Sequence, residues 1–576
     1  ISGSAPFNGT YRPQGWLGNL NNGQNGNGIW SLRILDTWPW ADAGTLMGWN
    51  ITFGNQPSGV FPFHGSDLPI IVVNTDNVPI PDEPKIDVHM GIIHNGPGIQ
   101  NNINDPFNHY DGYIGIELRG SSSQLFPKKS YGFETRDEFG NNLNVKLLGM
   151  PRENDWVLIA NYTDKTMIRN TLTYDYARKM GFWAPRTRFC ELMINGEYQG
   201  VYALMEKIKR DDDRVDIAAL TPDSISGDAV TGGYIIKIDK WTGENNDGWE
   251  SSFLPVVSSN NQRIHFQYHY PKSALITNEQ KNYIQDYLLD FESALWGPQF
   301  ADPVDGYYQY VNIYSFADFF ILNELGKNVD GYRLSTFLYK DKESQGGKLT
   351  MGPVWDFDLA YRNADYCGGY THTGWAYEFG NLCPGDGFQI PFWWERLLQD
   401  TVFTTVLNCR WQNLRLNILD TVNLFHYIDS LAVHLYQSQQ RNFFQWPVIG
   451  IYVWPNPSPI PQTWQEEINS LKKWFRNRIQ WLDDNMPGFC PNVSVAENQI
   501  HQLAIFPNPA DQVLSFSSSL TVRNVCLFDI NGRTVLESSP NSTMDNIGIG
   551  HLPQGIYFIR LSTDQEIVTR KVVIQR

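Results

Sequence analysis

A handful of short stretches carry the residue types able to do chemistry. The apolar run M-G-P-V-W-D-F-D ends on Asp356 and Asp358. If that run is a strand, positions i and i+2 share a face, so both carboxylates reach one cation. Carboxylate oxygens suit a hard ion such as Mg²⁺, which also takes water and phosphate ligands. The bland alternative is a pair of ordinary loop acids, against which stands their setting beside Trp355 and Phe357. Asp330 lies 26 residues earlier, in V-D-G-Y after a long apolar stretch. It reads either as a carboxylate placed to accept a hydroxyl proton or as an Asx-type turn residue.

Cations come from F-P-K-K-S-Y-G-F-E. On a strand, Lys129 shares a face with Tyr131 and Phe133 while Lys128 points the other way, so only one of them serves a given site. Just upstream, R-G-S-S-S-Q (Arg119, Gly120) makes a turn whose backbone N–H groups are able to cover an anion. Glu206, in Y-A-L-M-E-K-I, is either a partner for Lys129 or a solvent-facing acid pairing with Lys207 or Lys209. His265 and His269 stand four apart in R-I-H-F-Q-Y-H-Y-P, a strand pattern, so they are not a helical metal pair. The adjacent Trp393 and Trp394 read as core anchors rather than a sugar-stacking surface.

The elements that must position these residues are mixed. I-G-I-E-L-R-G and S-Y-G-F-E-T-R-D alternate as strands about a Ser/Gly turn, and R-F-C-E-L-M-I-N-G-E-Y-Q-G-V-Y reads as a hairpin about Asn195-Gly196. Residues 163–180 start on Thr/Asp, repeat apolar residues at Met167, Leu172 and Tyr176, and end on Gly, which predicts a helix. V-N-I-Y-S-F-A-D-F-F-I-L-N-E-L-G predicts a strongly apolar helix, and S-T-F-L-Y-K-D and K-L-T-M-G-P-V-W-D-F-D-L-A predict strands. Beyond them the chain is mostly helical.

Length and charge bound the whole. At 576 residues the chain is expected to hold about three or four domains, and a formal net charge of −17 argues against a nucleic-acid binder. Aromatics at 14% against 18% charged residues exclude intrinsic disorder. No run of about 18 apolar residues exists to span a bilayer. Most of the negative charge lies in the centre, between linker-like segments near 55–69 and 486–499. Of six cysteines none forms a C-x-x-C pair, and Cys367 and Cys383 flank a Gly-rich loop that a disulfide would close in an oxidising compartment, or are simply small buried residues.

Three resemblances then emerge. G-x-W-x-L-x-I-x-D…D-x-G-x-L-x-x-W-x-I-x-F, within residues 1–57, resembles the last half of the P domain of subtilisin-like proprotein convertases, which implies an interaction role and a chain continuing upstream. F-P-N-P-A, F-D-I-N-G-R and L-P-Q-G-I-Y-F-I-R-L, within 503–576, resemble the type A sorting domain of the type IX secretion system. That implies a Bacteroidetes-type protein exported to the cell surface or beyond by that machinery. Between 67 and 490, R-G-S-S-S-Q-L-F-P-K-K-S-Y-G-F-E, N-D-W-V-L-I-A-N-Y-T-D-K-T-M-I-R-N, N-G-E-Y-Q-G-V-Y-A-L-M-E-K, N-V-D-G-Y-R-L-S-T-F-L-Y-K-D and G-P-V-W-D-F-D-L-A occur in the order seen in CotH-type kinases, the atypical protein kinases named for spore-coat protein H.

The fold class these resemblances imply is multidomain: an α+β, atypical protein-kinase-like central domain flanked by all-β sandwich domains. They also imply ATP and Mg²⁺ as cofactors and a protein substrate with a Ser or Thr acceptor. Asp330 would be the catalytic base, Asp356 the principal metal ligand with Asp358 assisting, and Lys129, rather than Lys128, the cation on the nucleotide. Arg119 and Gly120 would lie over the phosphates, and Glu206 near the adenine. Kinases place an Asn five residues after the base; here that position is Ser335, which puts a second metal site in doubt and leaves Asn328 as a weaker candidate. The helix at 163–180 stands where kinases carry a Glu for the lysine but offers Asp164 and Asp175 instead. A catalytically silent binding module or adhesin of the same fold is the alternative reading.

Overall fold

The computed structural model describes residues 63–240, 247–257, 261–491, 504–529, 534–563 and 567–575. The P-domain-like segment expected at 1–57 lies outside the described residues. The chain divides into two compact units, the first ending at Phe489 and the second beginning at Cys490.

The first unit starts with a small ladder of β1 (Gly65–Ser66) against β4 (Asn101–Asn102). It continues into a closed seven-stranded barrel of order β2-β3-β5-β6-β7-β9-β8. Its strands are β2 (Ile70–Asn74), β3 (Ile86–Ile93), β5 (Tyr110–Arg119), β6 (Ser130–Arg136), β7 (Asp155–Ile159), β8 (Thr187–Ile194) and β9 (Glu197–Glu206). Antiparallel pairing runs throughout except where β2 closes on β8 in parallel. Alternation sends Tyr131, Phe133, Trp156, Leu158, Tyr202 and Leu204 into one core. Burying a side chain such as Phe133 contributes about 2–3 kcal/mol. The hairpin joining β8 and β9 turns on Asn195 and Gly196, with φ of 51° and 81°, the left-handed pair that an Asn-Gly turn supplies.

α1 (Arg169–Met180) follows β7 and ends on Gly181. It begins six residues later than the sequence pattern suggests, because Asp164 and Thr166 hydrogen-bond locally and hold 161–168 as turns. A second antiparallel sheet of order β11-β12-β10-β13-β14 then forms. Its strands are β10 (Tyr234–Ile238), β11 (Gly248–Glu250), β12 (His265–Tyr270), β13 (Thr336–Lys340) and β14 (Thr350–Met351).

Helices α2 (Asn278–Trp296) and α3 (Ile313–Gly326) lie between its strands in sequence. After them come α4 (Phe379–Leu382), α5 (Trp393–Leu397), α6 (Thr401–Leu416), α7 (Thr421–Leu435), α8 (Ser438–Gln445) and α9 (Trp464–Asn485). α2 and α9 each open with a reciprocal capping box, Thr277 with Gln280 and Thr463 with Glu466. Trp393 and Trp394 are buried against Phe316 and Phe319, as core anchors.

One expectation fails. The strand predicted to run through W-D-F-D stops at Met351, and Asp356 sits at φ 63°. Pro353 has no N–H to donate to a ladder, and a left-handed residue breaks the pleat. The facing of Asp356 and Asp358 therefore rests on loop geometry, not on strand alternation.

The second unit is a six-stranded antiparallel sheet. β15 (Ala504–Phe506), β16 (Val513–Phe528), β19 (Gly555–Thr563) and β20 (Ile567–Ile574) lie in order, with β17 (Thr534–Ser538) and β18 (Ser542–Gly548) also on β16. Leu514, Phe516, Val525, Leu527, Ile559 and Val572 form its core.

Candidate functional site

α1 and the W-D-F-D loop are sewn together atom by atom. The N–H of Asp356 donates to the Tyr174 hydroxyl oxygen at 3.0 Å, and the N–H of Phe357 donates to Asn170 Oδ1 at 2.6 Å. Asn170 and Tyr174 are i and i+4 on one helix face, so a single face of α1 dictates the backbone of the loop. Asp164, fully buried, accepts the N–H of Arg169 at the start of α1 and ion-pairs with its guanidinium. Arg169 reaches on to the carbonyls of Ala360 and Tyr361. Asn363 Nδ2 donates to the Asp358 carbonyl at 2.7 Å, and Asn456 holds Asn363 and the Thr163 carbonyl.

The result is an acidic cleft. Asp356 is exposed to solvent while protein surrounds it closely enough to raise its pKa, first through desolvation and then through the charges of Asp330 and Asp239, with Arg119 opposing. Asp358 is pushed well above the usual carboxylate range by desolvation, then by Asp356, Asp164 and Asp330, and it hydrogen-bonds Asp356. Asp356 and Asp358 thus form an interacting carboxyl pair. Paired carboxylate oxygens are hard donors, so this donor set fits Mg²⁺. Among the described residues no three His, Cys, Asp or Glu side chains are grouped so as to hold a metal ion by themselves.

Asp330 follows α3 and is fixed by Arg333, whose Nη2 donates to its Oδ1 at 2.9 Å. Arg333 is itself buried, bound to Asp386 and stacked over Phe379. Burial raises the pKa of Asp330 against the pull of Arg333 and Lys240. The Asx-type contact here is made by Asn328, whose Oδ1 accepts the Asp330 N–H at 3.2 Å. Asn328 is thereby occupied in its own loop. Ser335, at φ 47°, offers its N–H to Asp239 Oδ1 at 3.4 Å.

The cations are placed unevenly. Arg119, at the end of β5, lies over the Trp355 ring at 4.9 Å, and the charges of Asp356 and Asp239 act on it. Trp355 in turn stacks on Tyr174. Gly120 has φ 102°, and a Cβ there would meet Ser123 Oγ at 1.9 Å, so the turn after Arg119 requires glycine. Lys129 donates to the Gln124 carbonyl at 2.5 Å, inside the same turn. Lys128 is buried, donating to the Val201 carbonyl and Asn442 Oδ1 over the Tyr202 ring; desolvation drives its pKa down to about 7.

The acids considered as lysine partners are committed elsewhere. Glu206 is fully buried and accepts from the Arg186 N–H and guanidinium, so it neither pairs with Lys129 nor faces solvent. Lys207 and Lys209 pair with Asp155, and Lys209 also with Glu153. Asp164 pairs with Arg169, and Asp175 with Arg178.

Asp239, at the end of β10, is a member of this cleft that sequence reasoning missed. The available signal was an apolar strand, Y-I-I-K-I, closing on an acid, the same signal that W-D-F-D carried. Beside the cleft the loop 367–383 is closed by a Cys367–Cys383 disulfide. It is also pinned by Lys327 to Thr371, by Arg478 to the carbonyls of His372 and Gly374, and by Glu324 to the N–H groups of Ala376 and Tyr377.

Comparison with known proteins fits this division of the chain. The family described as secretion system C-terminal sorting domain matches residues 504–575. It marks a secreted or outer-membrane cell-surface protein and implies the type IX secretion machinery as a partner. No helix of the described residues is long and apolar enough to cross a membrane. Inner spore coat protein H of Bacillus subtilis (strain 168) is 30% identical over 97 residues, 16% of this chain and 24% of that protein, so the match spans about a quarter of the relative's length. The twitchin kinase region from C. elegans is 11% identical, with 89% of this chain and 99% of that one covered at a TM-score of 0.11, which carries no argument about fold. The family described as CotH kinase protein matches residues 116–482, more than half of the chain and all of the acidic cleft, and this chain belongs to that family.

Proposed function

We propose that the first unit is an atypical protein kinase acting outside the cell, transferring the γ-phosphate of ATP to Ser or Thr hydroxyls of surface proteins with Mg²⁺. The observation that carries this reading is that Asp330, Asp356 and Asp358 act on one another in one acidic site, where desolvation first and then the charge of neighbouring acids raises Asp356 and Asp358. Phosphoryl transfer asks the protein mainly for position and charge. Asp356 and Asp358 would hold Mg²⁺, which when bound neutralises phosphate charge. Asp330, oriented by Arg333, accepts the proton of the acceptor hydroxyl, for which a raised pKa is an advantage. Arg119 supplies positive charge over the phosphates, with Gly120 giving the turn its close approach. Lys129 remains the lysine nearer that turn, and exchanging Gln124 for a phosphate oxygen would engage it.

The test is transfer of radiolabel from ATP to a panel of surface proteins. Label should appear with the wild-type chain and fall by about 10²-fold or more in Asp330→Asn, with nucleotide binding kept. Equal labelling by the variant removes Asp330 from the role of base.

A second reading, a silent binding module of kinase type, is favoured by one observation. Both lysines are engaged by neutral groups and neither contacts an acid of the cleft. That reading predicts no labelling of any acceptor.

A further inference from the structure

Past these acids the chain leads into a cavity of about 520 Å³. Tyr366, whose hydroxyl feels the charges of Asp330 and Asp358, stands four residues from both Arg362 and Tyr370, which line that cavity. α9 contributes Asn469, Lys473 and Asn477, spaced four residues apart and so on one helix face.

Among the described residues neither the Asn477 amide nor the Lys473 ammonium has a partner. Asn469 only accepts, from Gln465, so its NH₂ is free. Arg362 donates to neutral groups alone, the carbonyls of Pro457 and Pro459 and the Ser470 hydroxyl. The acid in the lining, Glu466, is occupied by the N–H groups of Gln462 and Thr463 at the start of α9, and Glu467 beneath it is buried near Arg362.

The free Asn477 amide offers both a donor and an acceptor, and the Asn469 NH₂ a further donor on the same face, which matches the groups of a peptide backbone. Eight residues of helix span about 12 Å, the length of three to four residues of extended peptide at about 3.3 Å each. The unpaired Lys473 ammonium, with the Arg362 charge nearby, selects for carboxylate on that peptide in a chain that is acidic overall.

We propose that this cavity docks an extended acidic segment of the acceptor protein, placing a neighbouring Ser or Thr at Asp330. The role as acceptor dock rests on the phosphotransfer reading above; the peptide-binding site itself does not.

The experiment uses the full chain and three short fluorescein-labelled Ser-containing peptides, rich in Asp, Gln or Lys, read by anisotropy. Mg·ATP binding is measured on the same samples. The Asp-rich peptide should bind best, with affinity falling about tenfold in Lys473→Glu and about fivefold in Asn477→Ala. Both residues lie on the lining of an intact helix, and unchanged thermal melting shows that the variants are folded. Equal binding of the three peptides, or undiminished binding of the Asp-rich peptide in Lys473→Glu, overturns the proposal while leaving ATP binding intact. Retained acidic-peptide binding with no ATP binding overturns phosphotransfer, and the acceptor role with it, and leaves the peptide site.

Discussion

The Tyr174 hydroxyl accepts the backbone N–H of Asp356 at 3.0 Å, so one residue of α1 sets where the first acid of W-D-F-D stands. Tyr174 is buried and carries the Trp355 ring against its own. Tyr174→Phe keeps the packing and removes the acceptor. The expected cost is about 1 kcal/mol of stability in chemical denaturation, with a severalfold loss of Mg·ATP affinity by calorimetry. A loss of stability with unchanged affinity would show that the contact holds the fold but not the acid.

Buried acids elsewhere make separate predictions. Glu324 and Arg478 form an ion pair with both side chains fully buried, and Glu324 also fixes the disulfide-closed loop. Glu324→Gln leaves the guanidinium without its counter-charge, for an expected loss of about 3–5 kcal/mol. Denaturant titration measures it, and a change under 1 kcal/mol would mean that the Arg478 bonds to carbonyls suffice.

Glu292 should make stability pH-dependent. Desolvation pushes its carboxyl up to about 7, against the favourable bonds from Ser251 and Trp393. The unfolded chain, with a value near 4.5, releases its proton first. Stability therefore falls as pH rises from about 4.5 to about 7, by on the order of 3 kcal/mol, and stays lower above that. Glu292→Gln is expected to melt higher than wild type at pH 8, with most of the difference gone at pH 5. A pH-independent difference would exclude titration of Glu292 as the cause.

Motifs spoke more clearly in the sequence than geometry did. Asn195-Gly196 announced its hairpin because only residues tolerant of positive φ fit that turn. The apolar stretch of α3 announced a buried helix, and Asp330, Asp356 and Asp358 stood out as acids in apolar settings. Where a side chain points was legible only in part. Lys128 and Lys129 read as alternating strand residues, but the strand begins at Ser130, and nothing local told that Lys128 would reach Asn442, 314 residues away, while Lys129 turns back on the Gln124 carbonyl. Glu206 read as a partner for Lys129, or for Lys207 or Lys209, because its actual partner, Arg186, belongs to the neighbouring strand's entry and is set by barrel register. W-D-F-D read as a strand because its composition is apolar, while its path is dictated by Asn170 and Tyr174 nearly two hundred residues away. Tertiary contacts overrode local pattern at the site itself.

The measurement that tests the central claim most directly is calorimetric titration of the full chain with ATP in the presence of Mg²⁺, beside Asp356→Ala. Saturable binding that requires Mg²⁺ and drops at least tenfold in the variant is the predicted result. No binding at millimolar nucleotide, or binding indifferent to Asp356→Ala, would contradict a nucleotide site built on this acid.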